Sequence, residues 1–373
     1  MAKLETRGLC KGWDFPLLDQ LDLSVDEGEF FVVVGPSGAG KTTLLRLIAG
    51  LESADAGRIF IGAREVTRIP PYHRRAAMTF ESYALYPHLS VFENIASPLR
   101  ARGERDPSVR RRVTAIAELL QIERLLERKP DEVSGGQKQR AALGRTLAAD
   151  PEVFLLDEPL SHLDARIRHD LRRQFHTLEA LRKTATLYVT HDYTEALSLG
   201  DRIAVIGGGG FLQVGSARDI YENPVSVEVA RHLGQLEINV HDAELVAQGG
   251  QLQARVAGAG DLSFPVAEQH ARQLTAASTS AEREVSLAVR PQHIALAEPD
   301  AGGVPGVAES FQAFGATGAL TVTVGGATFR VLTSPDLDFR EGMPVRLAFD
   351  TAHFLYFARD GGRNLARGES GDN

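Results

Sequence analysis

The stretch EFFVVVGPSGAGKTTLLRLIAGL, residues 29–51, decides the fold. Its first six residues form a short apolar run rich in Val and Phe, which reads as a buried strand. The turn from Gly35 to Thr42 satisfies G-x-x-x-x-G-K-[ST] in full. The residues after it, TTLLRLIAGL, carry helical periodicity. Strand, glycine turn and helix follow in the order that a phosphate-binding loop needs. In such a loop the backbone N–H groups across Gly35, Ser37, Gly38, Ala39 and Gly40 turn inward around phosphate oxygens. The helix that follows points its positive dipole end at the same anion. Lys41 supplies a point charge to the outer phosphates, and Thr42, followed by Thr43, offers a hydroxyl that can ligate Mg²⁺.

Working outward, VFLLD at 153–157, ATLYVTH at 185–191 and RIAVIG at 202–207 read as further buried strands. Helical stretches at 110–128, 136–149, 164–182 and 192–199 lie between or beside them, the first with Val113, Ile116, Leu119 and Leu120 on one side. Strands alternating with helices predict an α/β domain with a largely parallel sheet covered on both faces. The strand at 153–157 ends in Asp157-Glu158-Pro159. A carboxylate at a strand end can hold Mg²⁺ through water, and Glu158 beside it can polarise an attacking water. Alone, this is also an ordinary acidic turn. Ser134-Gly135-Gly136-Gln137, continued by KQR, precedes a helix. Ser134 can cap that helix and the two glycines permit close phosphate approach. Taken locally it is an N-cap.

Composition narrows the function. Forty-one basic and 49 acidic side chains leave a net charge of −8, against a broad nucleic-acid footprint or a polybasic membrane patch. Cys10 is the only cysteine, which excludes an intramolecular disulfide and argues against a thiolate zinc site. The longest apolar runs, such as Phe30–Val34, fall far short of the roughly 20 residues of a spanning helix. The N-terminal residues lack a signal-peptide core, so the expected compartment is the cytoplasm, with any membrane role exerted through other chains.

After about residue 235 the texture changes. Residues 236–373 carry 10 basic and 17 acidic side chains and no lysine, Lys183 being the last. VSLAVRP (285–291), ALTVTVGGATFRVL (319–332) and PVRLAFD (344–350) alternate apolar with polar and are separated by glycine pairs. That pattern predicts short antiparallel strands and a small β-barrel. The expected division is 1–235 for the nucleotide-binding domain, 236–360 for the β domain and 361–373 for a mobile tail.

The chain resembles the ATPase subunit of an ABC transporter. Ser134, Gly135, Gly136 and Gln137 match the family's signature; Ser161-His-Leu-Asp164 stands at its D-loop; His191 matches its switch histidine. Trp13 matches the aromatic that stacks on adenine, or else anchors the first strand. SYALYPHLSVFENI, 82–95, is similar to importer ATPases of the maltose type. VRPQHI (289–294) and FDTAHFLYF (349–357) resemble the transport-associated OB-like domain that follows such ATPases. OB folds also bind nucleic acid; the negative charge here speaks against that, and Phe311, Phe314, Phe329 and Phe354 read as core.

The resemblance implies an α/β P-loop NTPase domain of the ABC type followed by a small all-β OB-like domain. It implies two ATPase copies, or one copy and a paralogue, pairing head to tail around two ATP. Lys41, Glu158 and His191 would serve catalysis, and Thr42, Glu81 and Asp157 would hold Mg²⁺. Two transmembrane permease subunits would dock near 81–95 at the cytoplasmic face of the inner membrane, serving a solute-binding protein. The expected cargo is a carbohydrate or polyol; glycerol-phosphate, polyamine, sulfate and iron are the alternatives, and a soluble ABC ATPase outside transport is the competing class. Glu81 departs from the family's usual glutamine. A carboxylate strengthens a metal ligand but loses the amide donor, so altered coupling or slower turnover is expected.

Overall fold

A computed structural model describes residues 2–80, 82–175, 178, 181, 183–277, 283–298, 302–359 and 362–367. The chain forms two compact units, Met1–Ala217 and Arg218–Asn373.

The first unit contains β1 (Ala2–Gly12), β2 (Pro16–Asp26), β3 (Phe30–Val34), α1 (Lys41–Ala49), β4 (Ala56–Ile61), β5 (Arg64–Glu65), β6 (Ala76–Thr79), α2 (Val91–Ala101), α3 (Asp106–Leu119) and α4 (Gly135–Ala148). It continues through β7 (Val153–Asp157), α5 (Ala165–Phe175), β8 (Ala185–Thr190), α6 (Tyr193–Leu199), β9 (Arg202–Gly207) and β10 (Gly210–Gly215). A six-stranded sheet runs β10-β9-β3-β8-β7-β6. Its pairs are parallel except β10 with β9. Every residue of β3, β7 and β8 is buried, which is why these strands read as unbroken apolar runs. Register aligns Val34 with Thr190 and Asp157 with Val189. The carboxyl ends of β3, β7 and β8 therefore lie side by side, where open α/β sheets bind ligands.

A second sheet, β2-β1-β4-β5, is antiparallel and adds to the parallel sheet expected from sequence. Leu21, Leu23 and Val25 of β2 alternate onto its buried face. Helix α3 starts at Asp106 and ends at Leu119, shifted from the expected 110–128. Its buried face is Val109, Val113 and Ala117, with Ile116 and Leu119 only half-buried. The C-terminus of α1 is held by Arg74, a buried guanidinium. Arg74 donates to the carbonyls of Leu47 and Ile48 at 2.8 and 2.9 Å, and to those of Ile69 and Thr67.

The second unit opens within α7 (Ala217–Glu222) and continues through α8 (Val227–Arg231). The division therefore falls before the expected break at 235. The reason is packing: Val227 and Ala230 share a core with Ala288 and Phe357. Arg290 adds to this by donating to the carbonyls of Tyr221, Ala230 and Leu233. Ten strands form two antiparallel five-stranded sheets. One contains β11 (Asn239–Gln248), β12 (Gln251–Val256), β13 (Ser263–Pro265), β14 (Glu284–Val289) and β20 (Leu355–Ala358). The other contains β15 (Ile294–Leu296), β16 (Val304–Phe314), β17 (Thr317–Val324), β18 (Ala327–Thr333) and β19 (Pro344–Phe349). Both contribute to one apolar core, in which Phe329 and Phe354 are buried and Phe311 is partly buried; Phe314 is half-buried. Helix α9 (Glu268–Ala277) lies between β13 and β14.

Part of the tail expected to be mobile from 361 makes contacts with the second unit over 362–367. Asn364 and Leu365 are buried, Asn364 Nδ2 donates to the Pro224 carbonyl at 2.9 Å, and the Leu365 N–H donates to the Tyr356 carbonyl. Residues 368–373 lie outside the described residues.

Candidate nucleotide site

The three strand ends open into a cavity of about 590 Å³ lined by Leu17, Ser37, Gly38, Gly40, Lys41, Thr42, Thr43, Glu158, Ser161, His162 and His191. That volume suits a nucleotide-sized ligand. The loop from β3 to α1 is shaped by two glycine requirements. At Gly35 a Cβ would lie 2.4 Å from the Ile206 carbonyl oxygen, so only glycine lets the loop pass β9. Gly40 sits at φ 96°, a left-handed conformation that L side chains rarely adopt. Ala39 closes the turn through its N–H to the Pro36 carbonyl at 3.3 Å.

Lys41 is buried, and its Nζ donates to the carbonyls of Gly35 and Pro36 at 2.8 and 2.9 Å. Burial holds its pKa below the ordinary lysine value, against the pull of Glu158 and Asp157. The loop thus wraps its own cation, and an anion drawn into the cavity would meet that charge together with the first N–H groups of α1. Thr42 Oγ1 donates to Asp157 Oδ1 at 3.1 Å, bringing a hydroxyl and a buried carboxylate together.

Glu158 follows Asp157 at φ 43°, uncommon for a residue with a Cβ. Its N–H donates to the Val189 carbonyl, and its own carbonyl accepts from Gln139 Nε2 and Ser161 Oγ, each at 3.0 Å. These bonds hold the turn open so that the carboxylate reaches His191, whose Nδ1 lies 2.9 Å from Glu158 Oε2. His191 is largely exposed at the end of β8. Below it, Asp192 caps α6 through the Thr194 N–H. The buried Glu195 carboxylate accepts from Tyr188 and Thr190 at 2.6 and 2.9 Å.

The other sequence candidates lie elsewhere. Trp13 is 62% exposed, in the loop between β1 and β2, outside the cavity lining; Lys11 Nζ sits 5.2 Å from its ring centroid. Ser134 and Gln137 form a capping box at the start of α4: Ser134 Oγ accepts from the Gln137 N–H and Gln137 Oε1 from the Ser134 N–H. They and Gly135–Gly136 are absent from the cavity lining. Asp164 caps α5 by accepting from the Ile167 N–H at 3.0 Å. Glu81 lies outside the described residues. Just after it, the buried Asn94 side chain binds the Tyr86 N–H and the carbonyls of Tyr86, Leu89 and Ser90, fixing the loop before α2.

Leu17, His162 and Gln139 are among the site residues that sequence reasoning passed over. His162 lay inside the quoted SHLD string, but nothing local turned its ring toward the cavity. Gln139 is two residues past the signature, and its role depends on the segment 158–162, about 20 residues away.

Residues 18–161 match the family model for ABC transporters, and residues 287–357 match that for the TOBE domain. The sn-glycerol-3-phosphate import ATP-binding protein UgpC of Escherichia coli strain K12 is 42% identical over 318 residues, covering 85% of this chain and 86% of that protein. Its counterpart in Salmonella typhimurium strain LT2 is 41% identical over the same spans. Among solved structures, the dimeric post-hydrolysis state of the ATP-binding cassette MJ0796, bound to ADP and Pi, aligns with a TM-score of 0.54 at 28% identity. That alignment covers 58% of this chain and 99% of the cassette. With a P-loop, a strand-end Asp-Glu pair and a histidine in contact with that glutamate, the chain belongs to the ABC transporter family as an ATP-hydrolysing subunit that carries a TOBE domain.

Proposed function

We propose that this chain works as one of two ATPase copies that power a membrane importer for a polyol, a polyol phosphate or a carbohydrate. The observation that carries the reading is the single cavity shared by Lys41, Thr42, Glu158 and His191, with Asp157 bonded to Thr42 beneath it. Lys41 offsets charge on the outer phosphates of ATP, assisted by the N–H groups that open α1. Glu158 accepts a proton from the attacking water at its carboxylate, and the His191 Nδ1 contact holds that carboxylate in place. Mg²⁺ fits the paired Thr42 hydroxyl and Asp157 carboxylate, both hard oxygen donors, and when bound would neutralise phosphate charge. Glu81 is a third candidate ligand. Trp13 stacks on the adenine.

Ser134–Gln137 lie outside the cavity of their own chain, which is consistent with their serving the ATP of a second copy. Pairing head to tail, each copy offers the Ser134 hydroxyl and the Gly135–Gly136 amides to its partner's ATP, with Asp164 at the seam. MJ0796 is described as a dimer, which supports this arrangement. The subunit sits peripherally at the cytoplasmic face, docked on two permease chains through the segment around 82–95, and serves a solute-binding protein. No helix among the described residues is long and apolar enough to cross a membrane. The relatives' glycerol-3-phosphate names favour a phosphorylated polyol within the proposed class.

The test is affinity purification of the tagged chain from gently solubilised membranes. Recovery of two permease chains with no other ATPase is expected, and solute-stimulated ATP hydrolysis in reconstituted vesicles should then respond to a polyol, polyol phosphate or sugar. Recovery of no membrane protein from an active preparation would overturn the importer reading.

A further inference from the structure

The second unit contains a cluster of histidines unrelated to the nucleotide cavity. His293, Asp350 and His353 place one ligand atom each within 4.8 Å of one another. Their proximity follows from the fold. His293 ends a 3₁₀ turn, Pro291–His293, and leads directly into β15, while Asp350 directly follows β19. The β15–β19 pairing sets Ile294 opposite Phe349, and the Asp350 N–H donates to the His293 carbonyl at 2.9 Å. His353 closes a second 3₁₀ turn, Thr351–His353, capped by Asp350. Residues three apart eclipse on such a turn, so Asp350 and His353 share one side. His353 Nδ1 lies 2.8 Å from Asp350 Oδ2, and the rings of His293 and His353 lie parallel with centroids 4.0 Å apart.

The three residues differ in freedom in a way that suits a chelate. His293 is half-buried on a pinned backbone, whereas Asp350 and His353 are about half exposed and can close inward. A tetrahedral ion with bonds of about 2.0–2.1 Å needs donors about 3.3 Å apart, so closure by up to about 1.5 Å, with one of the two stacked rings turned to bring both lone pairs onto the ion, forms the chelate. His270, His293 and His353 line one cavity of about 420 Å³ that gives access to the cluster. His270 Nδ1 is buried there without a hydrogen-bond partner among the described residues. Two imidazoles and one carboxylate with room for water is a donor set for Zn²⁺, Co²⁺, Ni²⁺ or Cu²⁺ rather than for Mg²⁺ or Ca²⁺.

We propose that His293, Asp350 and His353 bind one divalent transition-metal ion of the Zn²⁺ class in the TOBE-containing unit, with His270 at the rim of the same cavity. The metal takes the place of the Asp350–His353 hydrogen bond, any proton on His353 Nδ1 passing to solvent, and draws the two 3₁₀ turns together.

The test uses the full chain, free of affinity tag, chelator-treated and without nucleotide, titrated calorimetrically with Zn²⁺ and optically with Co²⁺. One high-affinity ion per chain is expected, with a rise in the thermal midpoint on adding Zn²⁺. His293→Ala and His353→Ala should each weaken binding at least about tenfold, while Cys10→Ser leaves it unchanged. Should His293→Ala fail to fold, His353→Gln at an exposed position decides the matter, because its apo midpoint should match the parent's. Absence of saturable uptake below millimolar Zn²⁺, or uptake and stabilisation unchanged in His293→Ala/His353→Ala, would overturn the proposal. Uptake lost only in Asp157→Ala would place the ion at the phosphate loop and overturn it equally.

Discussion

Replacing Glu158 by Gln keeps the side chain's length and the left-handed φ of 43° while removing the carboxylate that faces His191 at 2.9 Å. General-base catalysis contributes about 10²–10⁴ in rate, or about 2.7–5.5 kcal/mol of barrier. Phosphate release from Mg·ATP by Glu158→Gln is expected to fall by that factor. ATP affinity, followed through the fluorescence of Trp13, the single tryptophan, should stay within twofold. Glu158→Gly should remove activity equally but act on the backbone too. A left-handed φ costs an L residue about 1–2 kcal/mol, and glycine removes that cost. Glycine also loses about 0.5–1 kcal/mol more than other residues on folding. The backbone bonds to Val189, Gln139 and Ser161 survive in both variants. The net gain is up to about 1.5 kcal/mol, or a rise of up to about 6 °C in the melting transition of the first unit. An inactive enzyme more stable than its parent is therefore expected, with strain stored at the chemistry. Parental turnover in Glu158→Gln would remove Glu158 from the reaction, and a lower midpoint in Glu158→Gly would refute the strain argument.

Arg74→Met should destabilise the first unit by about 2–4 kcal/mol in urea titration, because it strips donors from buried carbonyls at the end of α1; a loss under 1 kcal/mol would show that the guanidinium does not hold the helix. Trp13→Ala should weaken ATP by about 1–3 kcal/mol if the ring stacks on the base, measured by equilibrium dialysis; an unchanged Kd would leave Trp13 as an exposed loop residue. Burial pushes Glu195 above its ordinary value of 4.5, with the Tyr188 and Thr190 hydroxyls opposing. The folded chain then holds this proton more tightly than the unfolded chain, so its contribution is full below pH 4.5 and declines as pH rises through the folded value. Glu195→Gln should lack that decline, and identical pH–stability profiles for the two proteins would contradict the assignment.

How much of this was legible follows from where each constraint resides. The phosphate loop was readable because its demands are local: a glycine beside β9, another at positive φ, and a lysine six residues after the first. Strands β3, β7 and β8 were readable because burial on both faces leaves no room for polar residues. Strand β1 was not, since its pairing with β2 shifts register between Thr6 and Leu9 and again before Lys11, which breaks the period-2 signal. The boundary at 217 was hidden because Arg290 reaches back nearly 70 residues to Tyr221. Contacts of that span have no local spelling. The same holds for Arg74, which reads as one more arginine in a basic loop until α1 is placed against it.

One further step joins the pieces of the first unit that sequence treats as separate motifs. Gln139 is buried in α4, the helix that opens with Ser134, and donates to the Glu158 carbonyl and to Ser161 Oγ, while its Oε1 accepts the His162 N–H. Arg168 then donates to the carbonyls of Ser161 and Leu163 and lies 3.8 Å from Asp192, the residue after His191. The segment from Ser161 to Asp164 is thus tied at one end to the signature helix and at the other to the turn carrying His191. Buried polar bonds of this kind are costly to leave unmade, so the segment is expected to move with its neighbours rather than away from them. Under the proposed pairing, the signature of one copy answers to its partner's ATP, whereas Glu158 and His191 answer to their own. A displacement of α4 set by the partner's nucleotide would therefore reach the Glu158 backbone through one side chain, Gln139. Those three bonds from one side chain offer a physical route by which two sites in a dimer sense one another, without any group that touches both nucleotides.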